Sequence, residues 1–371
     1  MTGVGLDNLR FSLAFSMLKN ININIADALL ARIGSIENLF SMSAEELKAI
    51  GRFPEYIHSE NTRKELLEKA SKEEDFILQN DISVLYYKSS CYPSRLLNCS
   101  DGPVLLYQLG HTNLEARHII SIVGTRRATP YGIEMTNRIV RDLAERLDDL
   151  VIVSGLAYGI DVAAHRAAMD CGLRTVAVMA NPLNTIYPAD HRSVAVKILK
   201  TGGSLLTEYS TSHEVHKINF LARNRIIAGI SDVTIVVESD QRGGSLVTAG
   251  LAMDYGREVF AVPGRLTDKY SRGALELISA NRAHIYTDAN DMISELGWES
   301  IPGEGEQMTL AMELNPVEQK ICEFLTSHPA SRVNEIMIGT EIPKGQLMDS
   351  LFNLEIKDII VSLAGGKYSV L

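Results

Sequence analysis

The run Lys217-Ile218-Asn219-Phe220-Leu221-Ala222-Arg223-Asn224-Arg225 carries three cations, Lys217, Arg223 and Arg225, with Phe220 among them and the Asn224 amide between the arginines. Cations hold phosphate oxygens, and an aromatic face beside them accepts an unpaired base by stacking. The pattern points to single-stranded nucleic acid. A competing reading seats Phe220 in the core and pairs Arg223 or Arg225 with Glu208 or Glu238. Which arginine is structural stays open on sequence alone.

Glycine turns add to this chemistry. Gly124-Thr125-Arg126-Arg127 follows an apolar run and precedes a helical one. Backbone N–H groups at such a turn face an anion, and Arg126 adds a planar fork matched to phosphate. Gly243-Gly244-Ser245 opens another helical run as a second cradle, with a plain helix-starting turn as its alternative. Ala261-Val262-Pro263-Gly264 with Ser271-Arg272-Gly273 supplies a third polar turn. Three cradles on one sheet edge suit an extended polyphosphate better than one small molecule. The GxGxxG spacing of a dinucleotide site is absent.

The signs of catalysis are thinner. Asp161 and His165 stand at i, i+4 on one helical face, and a hydrolase of nucleotides or nucleoside phosphates would use them with Glu208. No serine or cysteine nucleophile spacing accompanies them. Cys91, Cys99, Cys171 and Cys322 form no close pair, and the nine histidines show no metal-ligand rhythm. The expectation is a binding protein with no enzyme activity, cofactor or metal. A protein-binding scaffold is the remaining alternative.

The elements that must position these residues follow from the pattern of apolar runs. At 371 residues, 46% hydrophobic and 22% charged, the chain is long and apolar enough for several folded domains. Residues 1–75 show helical spacing, with Ser43-Ala44-Glu45-Glu46 as a helix cap and Ile33-Gly34-Ser35 as a hairpin turn, a SAM-like or helix-hairpin-helix-like unit. Residues 76–118 read as strands and turns leading into the next domain. Over 119–297, Val- and Ile-rich runs at 119–123, 150–153, 175–179, 204–208, 233–237, 259–262 and 284–286 alternate with helical stretches. Strands without a polar face indicate a mostly parallel, Rossmann-like α/β sheet covered on both sides, with ligands beyond the strands' carboxyl ends. Residues 298–313 read as a linker, and 314–371 as three helices and a hairpin, a winged-helix-like domain.

Charge narrows the choice further. The net charge of −10 argues against a surface basic throughout, yet residues 119–290 carry 19 basic against 18 acidic groups. A polyanion is therefore expected there and not on 301–371, where 5 basic groups face 10 acidic ones, a balance that favours a protein contact. No stretch approaches the ~18 apolar residues of a spanning helix, and no cleavage site follows the short apolar patch at 11–17. A cytoplasmic protein that does not bind membrane is expected.

In order along the chain, the motifs at Gly124-Thr125-Arg126, Ser154-Gly155-Leu156-Ala157-Tyr158-Gly159-Ile160-Asp161, Gly202-Gly203, Glu208-Tyr209, Phe220, Arg223-Asn224-Arg225, Gly244-Ser245-Leu246 and Ala261-Val262-Pro263-Gly264 resemble the DNA-processing protein A family, also called Smf. The likeness covers about 170 residues, from Gly124 to Gly264 and its flanks. It implies sequence-independent binding of single-stranded DNA by the Rossmann-like domain and a homodimer through that domain. It also implies loading of a RecA-type recombinase in natural transformation or recombination, with no enzymatic activity. By the resemblance, Arg126 and Lys217 grip phosphate, Phe220 contacts the strand, and Gly124, Gly243, Gly244 and Ser245 line the pocket. Thr125 replaces the usual serine, Tyr158 a frequent arginine and Leu221 a common proline; the cation set survives all three.

Overall fold

The computed structural model describes residues 9–51, 53–298, 315–328, 331–356, 359–363 and 367–370. The linker expected over 298–313 lies, apart from Trp298, outside the described residues, as do Gly365 and Gly366 of the expected C-terminal hairpin. The chain divides into two compact units, Met1–Gly297 and Trp298–Leu371.

The first unit opens on helices α1 (Leu9–Ser16), α2 (Ile23–Ile33), α3 (Ile36–Ser41), α4 (Ala44–Ile50), α5 (Glu55–His58) and α6 (Glu60–Gln79). Ser43 caps α4 through the reciprocal bonds with Glu46 that the sequence predicts. Strands and helices then alternate: β1 (Ile82–Tyr86), α7 (Ser94–Leu97), β2 (Leu105–Gly110), β3 (His118–Val123), α8 (Pro130–Ala144), β4 (Leu150–Ser154), α9 (Ile160–Asp170), β5 (Arg174–Val178), α10 (Arg192–Lys200) and β6 (Ser204–Thr207). After β6 come α11 (Lys217–Ala222), α12 (Asn224–Ile230), β7 (Val233–Val236), α13 (Gly244–Asp254), β8 (Glu258–Ala261), α14 (Arg272–Ser279), β9 (His284–Ile285) and α15 (Ala289–Glu295).

These strands form one sheet in the order β1-β2-β6-β5-β4-β3-β7-β8-β9. From β6 to β9 every pairing is parallel, while β1 with β2 and β2 with β6 are antiparallel. The chain moves outward from β3 through β4, β5 and β6, then returns to the other side of β3 as β7. That reversal makes the gap beyond β3 and β7 the topological switch point, where open α/β sheets bind ligands.

Burial explains why these segments are strands. Every residue of β3, β4, β6 and β7 is buried, so neither face meets water. Side chains alternate between two cores: on β5, Val176 and Val178 enter one cluster while Ala177 enters the other with α9 and α10. The segment expected as a lead-in contributes β1 and β2 to this same sheet. On β2, Leu106 joins the large core, while Leu105 and Tyr107 pack under Leu9 and Leu13 of α1 and Ala70 and Ile77 of α6. The N-terminal helices are thus the cover of the sheet's antiparallel end, and belong to one unit with it.

The second unit holds α16 (Pro316–Ser327), β10 (Ser331–Arg332), α17 (Val333–Thr340), α18 (Lys344–Ile356), β11 (Ile360–Leu363) and β12 (Lys367–Val370), with β12 central in an antiparallel sheet. Ile321, Leu325, Ile336, Leu347, Leu351 and Leu354 form its core. Asn315 caps α16 in a reciprocal pair with Glu318, and Pro316 stands at its first position.

One polar staple joins α7 to the sheet. Arg95 meets Asp232 through Nε at 2.6 Å and Nη2 at 2.9 Å, and Nη2 also donates to the Ala116 carbonyl at 2.9 Å. Asp232 in turn accepts from the Ile119 backbone at the start of β3. We expect Arg95→Ala to lower stability by about 2–3 kcal/mol, since it strands a partly buried carboxylate; a fall in thermal midpoint with wild-type circular dichroism checks it.

Candidate nucleic-acid interface

A cleft of 220 Å³ opens at the switch point, between the loop after β3 and the start of α13, with α11 and α12 as its side wall. Gly124, Thr125 and Arg126 line it from the first loop, Gly243, Gly244 and Ser245 from the second, and Phe220, Arg223 and Asn224 from the wall. Lys217 and Arg225 do not line this cleft.

The exposed part of the site is a cation on aromatic rings. The Arg126 guanidinium lies 5.6 Å from the centre of the half-buried Phe220 ring, and Arg126 itself is exposed. Tyr187 meets the Phe220 ring edge-on at 5.1 Å and 64° while remaining 51% exposed. Arg126, Phe220, Tyr187 and Tyr158 together line a small adjoining hollow. Lys217 is exposed at the first position of α11, one turn from Phe220 and so on the same side of that helix. Such a surface holds a phosphate against a stacked base.

The arginines of the second motif face inward. Arg223 is 4% exposed and donates through Nη1 to the Gly155 carbonyl at 2.7 Å and to the Val178 carbonyl, tying together the ends of β4 and β5. Burial depresses its guanidinium from the ordinary value, and Asp161 opposes the shift. Asn224 reaches the Gly244 carbonyl at 3.4 Å, bracing α13 from α12. Arg225 points away from the cleft and pairs with Glu208 at 2.6 Å. Burial works against its charge, but Glu208 and Asp101 more than offset that, so its guanidinium lies above the usual value. Lys217, Arg223 and Arg225, neighbours in sequence, therefore occupy separate surroundings.

The helix starts at this edge of the sheet are not equally open. Glu238, at the start of the loop after β7, is buried; its carboxylate accepts from Thr129 N at 2.9 Å and Thr129 Oγ1 at 2.5 Å, at the N-terminus of α8. Its carbonyl accepts from Thr125 N at 2.7 Å. An internal anion thus fills the first helix start. At α9 the buried Asp161 carboxylate accepts from Ala157 N at 3.4 Å, which closes the turn before that helix. Burial raises its carboxyl, with Arg223 pulling it back down. The start of α13 has no side-chain cap, and the Ser245 hydroxyl donates to Ser239 beneath it. Of these helix starts, α13 is the one left for an external anion.

Two glycines permit this packing. Gly159 has φ +77°, and a Cβ there would collide with the Thr125 carbonyl oxygen. A Cβ on Gly124 would stand 2.5 Å from the Ile160 side chain.

The conceivable hydrolase pair is not assembled. His165 is fully buried and its Nδ1 lies 2.7 Å from Thr175 Oγ1, inside the sheet's cover, while Asp161 serves the turn at Ala157. Burial, reinforced by Arg223 and His191, pushes His165 down to about 3. Glu208 is held by Arg225. Among the described residues, no group of three or more His, Cys, Asp or Glu is placed to hold a metal, and no helix is long and apolar enough to cross a membrane.

Sequence reasoning missed Tyr187 and the capping role of Glu238. Tyr187 stands in an irregular loop 33 positions before Phe220, outside every motif; its local signal is an aromatic side chain beside Pro188 in a connection at the ligand-binding end of the sheet. Glu238 was visible only as a partner for an arginine.

The family model for DNA recombination-mediator protein A matches residues 83–297. A putative DNA processing protein DprA of Mycobacterium tuberculosis (strain H37Rv) is 34% identical over 282 residues, which is 75% of this chain and 71% of that protein. Protein Smf of Escherichia coli K12 is 33% identical, over 75% of each chain. The X-ray structure of DNA processing protein A from Streptococcus pneumoniae superposes with a TM-score of 0.63 at 31% identity, covering 77% of this chain and 96% of the other. A structure of DNA processing protein A from Helicobacter pylori, described for its single-stranded DNA binding mode, gives 0.52 at 32% identity over 58% and 96%.

Two outcomes follow from the buried groups. Gly159→Ala forces a left-handed residue against a carbonyl and should cost about 1–3 kcal/mol, read as a lowered denaturation midpoint. His165 binds its proton less readily folded than unfolded, so its share of stability is whole above pH 6.5 and is lost as pH falls toward 3, by at most ~1.4 kcal/mol per pH unit. Urea melts between pH 7 and 4.5 should be flatter for His165→Gln than for wild type.

Proposed function

The chain belongs to the DNA recombination-mediator protein A family, and from that membership we propose that it captures single-stranded DNA at the switch-point cleft, without regard to sequence, and delivers it to a RecA-type recombinase in recombination or natural transformation. Like the rest of its family it is not an enzyme. Its task is to bind and release a strand.

The observation that carries the proposal is the Arg126 guanidinium set 5.6 Å over the Phe220 ring beside the exposed Tyr187. Arg126 and Lys217 hold the backbone, Phe220 and Tyr187 stack bases without choosing among them, and the N–H groups at Gly244 and Ser245 meet a further phosphate at the start of α13, where Gly243 closes the turn onto the Asp240 carbonyl. Gly124 and Thr125 shape the floor. Arg223, Asn224 and Arg225 act from behind, holding the strand ends, α13 and Glu208. The binding mode in the description of the Helicobacter pylori relative supports the same ligand here.

The domain plan proposed with this function is helices over 1–75 of SAM-like or helix-hairpin-helix-like type, a lead-in over 76–118, a Rossmann-like binding domain over 119–297, a linker over 298–313 and a winged-helix-like domain over 314–371. The acidic balance of the last favours a protein partner. A homodimer through the Rossmann-like domain would place two clefts on one strand and raise avidity. The compartment is the cytoplasm, away from membranes.

Fluorescence anisotropy with oligonucleotides of several compositions tests the assignment. Arg126→Glu and Lys217→Glu should each weaken binding roughly tenfold or more for every sequence alike and flatten the dependence of log affinity on log salt by about 0.7 for each phosphate no longer held. Phe220→Ala and Tyr187→Ala should each cost about 1–3 kcal/mol. Wild-type binding by both charge reversals, or equal affinity for mononucleotides, would refute it.

A further inference from the structure

If α11 grips the strand as proposed, whatever fixes α11 sets the strength of that grip. The connection into α11 is exposed from Ser212 to His216. Behind it lies a hollow of 590 Å³, bordered by Leu66 and Lys69 of α6 and by Ser210, His213 and Asn219. Apolar packing does little to hold this segment. A buried carboxylate does: Glu73 on α6, 2% exposed, accepts from Thr211 N at 2.8 Å and from the Thr211 hydroxyl.

Glu73 is a costly way to fasten a loop. Burial raises its carboxyl, and the opposing influence comes from the two Thr211 donors alone, with no cation contributing. A buried charge answered by one residue's hydrogen bonds adds little net stability, and an apolar contact would fasten the loop as well. What the carboxylate adds is a defined position. From Thr211 the hold continues in short steps. His213 N donates to Ser210 O at 2.9 Å, the His213 ring stacks on Tyr209 at 4.4 Å, and His213 Nε2 lies 2.9 Å from the amide nitrogen of Asn219. Asn219 is buried on α11 next to Phe220.

We propose that Glu73 is a positioning residue for DNA capture: through Thr211, His213 and Asn219 the N-terminal helices hold α11 so that Phe220 faces the cleft and Lys217 stands exposed on the same side of the helix. Those helices therefore help to set the affinity of a site they do not line. The inference rests on the function proposed above.

The test uses the full chain and labelled oligo(dT) at fixed salt. Glu73→Ala should weaken binding roughly tenfold, equivalent to ~1.4 kcal/mol, while Glu73→Gln, which keeps an acceptor for both Thr211 donors, stays within about twofold of wild type. Amide exchange should quicken over 209–222 and stay unchanged in β3–β5. In a Lys217→Ala/Phe220→Ala background, Glu73→Ala should have little further effect, because the groups it positions are gone. Should Glu73→Ala not fold, Thr211→Ala carries the same expectations at smaller size. Wild-type affinity in Glu73→Ala, or a loss that adds fully to that of the double variant, overturns the inference. Loss of binding by Arg126→Glu and Lys217→Glu alongside such a result would leave the proposed function standing; their retention would remove both.

Discussion

Two loops with no sequence relation are joined at the switch point by Glu238, and the cleft exists because of that joint. Its carbonyl takes the Thr125 N–H, and its carboxylate takes both the N–H and the hydroxyl of Thr129 where α8 begins. The loop after β3 is thereby fixed against the loop after β7, and Arg126 is projected outward between the two bonded positions. An anion at a helix N-terminus is a favourable partner for the helix dipole. Here that partner is internal, so α8 serves the architecture and α13 is left to face solvent.

The same distinction governs the arginines. A guanidinium that holds two carbonyls across β4 and β5, as Arg223 does, is satisfied by protein and desolvated; one paired with Glu208, as Arg225 is, is neutralised locally. Both are committed to protein partners, and Nη1 of Arg225, which has none, is sealed from solvent. Arg126 and Lys217 keep theirs in water, where a polyanion can replace solvent at small desolvation cost. A net charge of −10 is compatible with the proposed capture, which draws on the exposed Arg126 and Lys217 and not on the sum over the chain.

The N-terminal helices belong to this logic as well. The sheet runs two antiparallel strands past its parallel part, and the apolar faces of β1 and β2 need cover that the alternating β–α units do not supply. Helices α1 and α6 provide it with Leu9, Leu13, Ala70 and Ile77. That packing brings Glu73 against the connection to α11, so a contact arising from core coverage also reaches the segment that carries Phe220.

The alternation of Val- and Ile-rich runs with helical stretches determined the parallel sheet, and the order of short motifs determined the family, because strand burial and backbone turns are local demands written in adjacent residues. Gly124, Gly159 and Gly243 were legible for that reason, as were Phe220 and Arg126 as candidate contacts. Tertiary structure alone decided which cations stay free. Lys217, Arg223 and Arg225 are near-identical as letters, but they leave their helices in different directions, and their charges are settled by carbonyls and carboxylates up to 68 positions away, as with Gly155 and Arg223. It also decided that Glu238 would fill the first cradle and that Tyr187 would meet Phe220, since both depend on where the crossover from one side of β3 to the other sets down its loops.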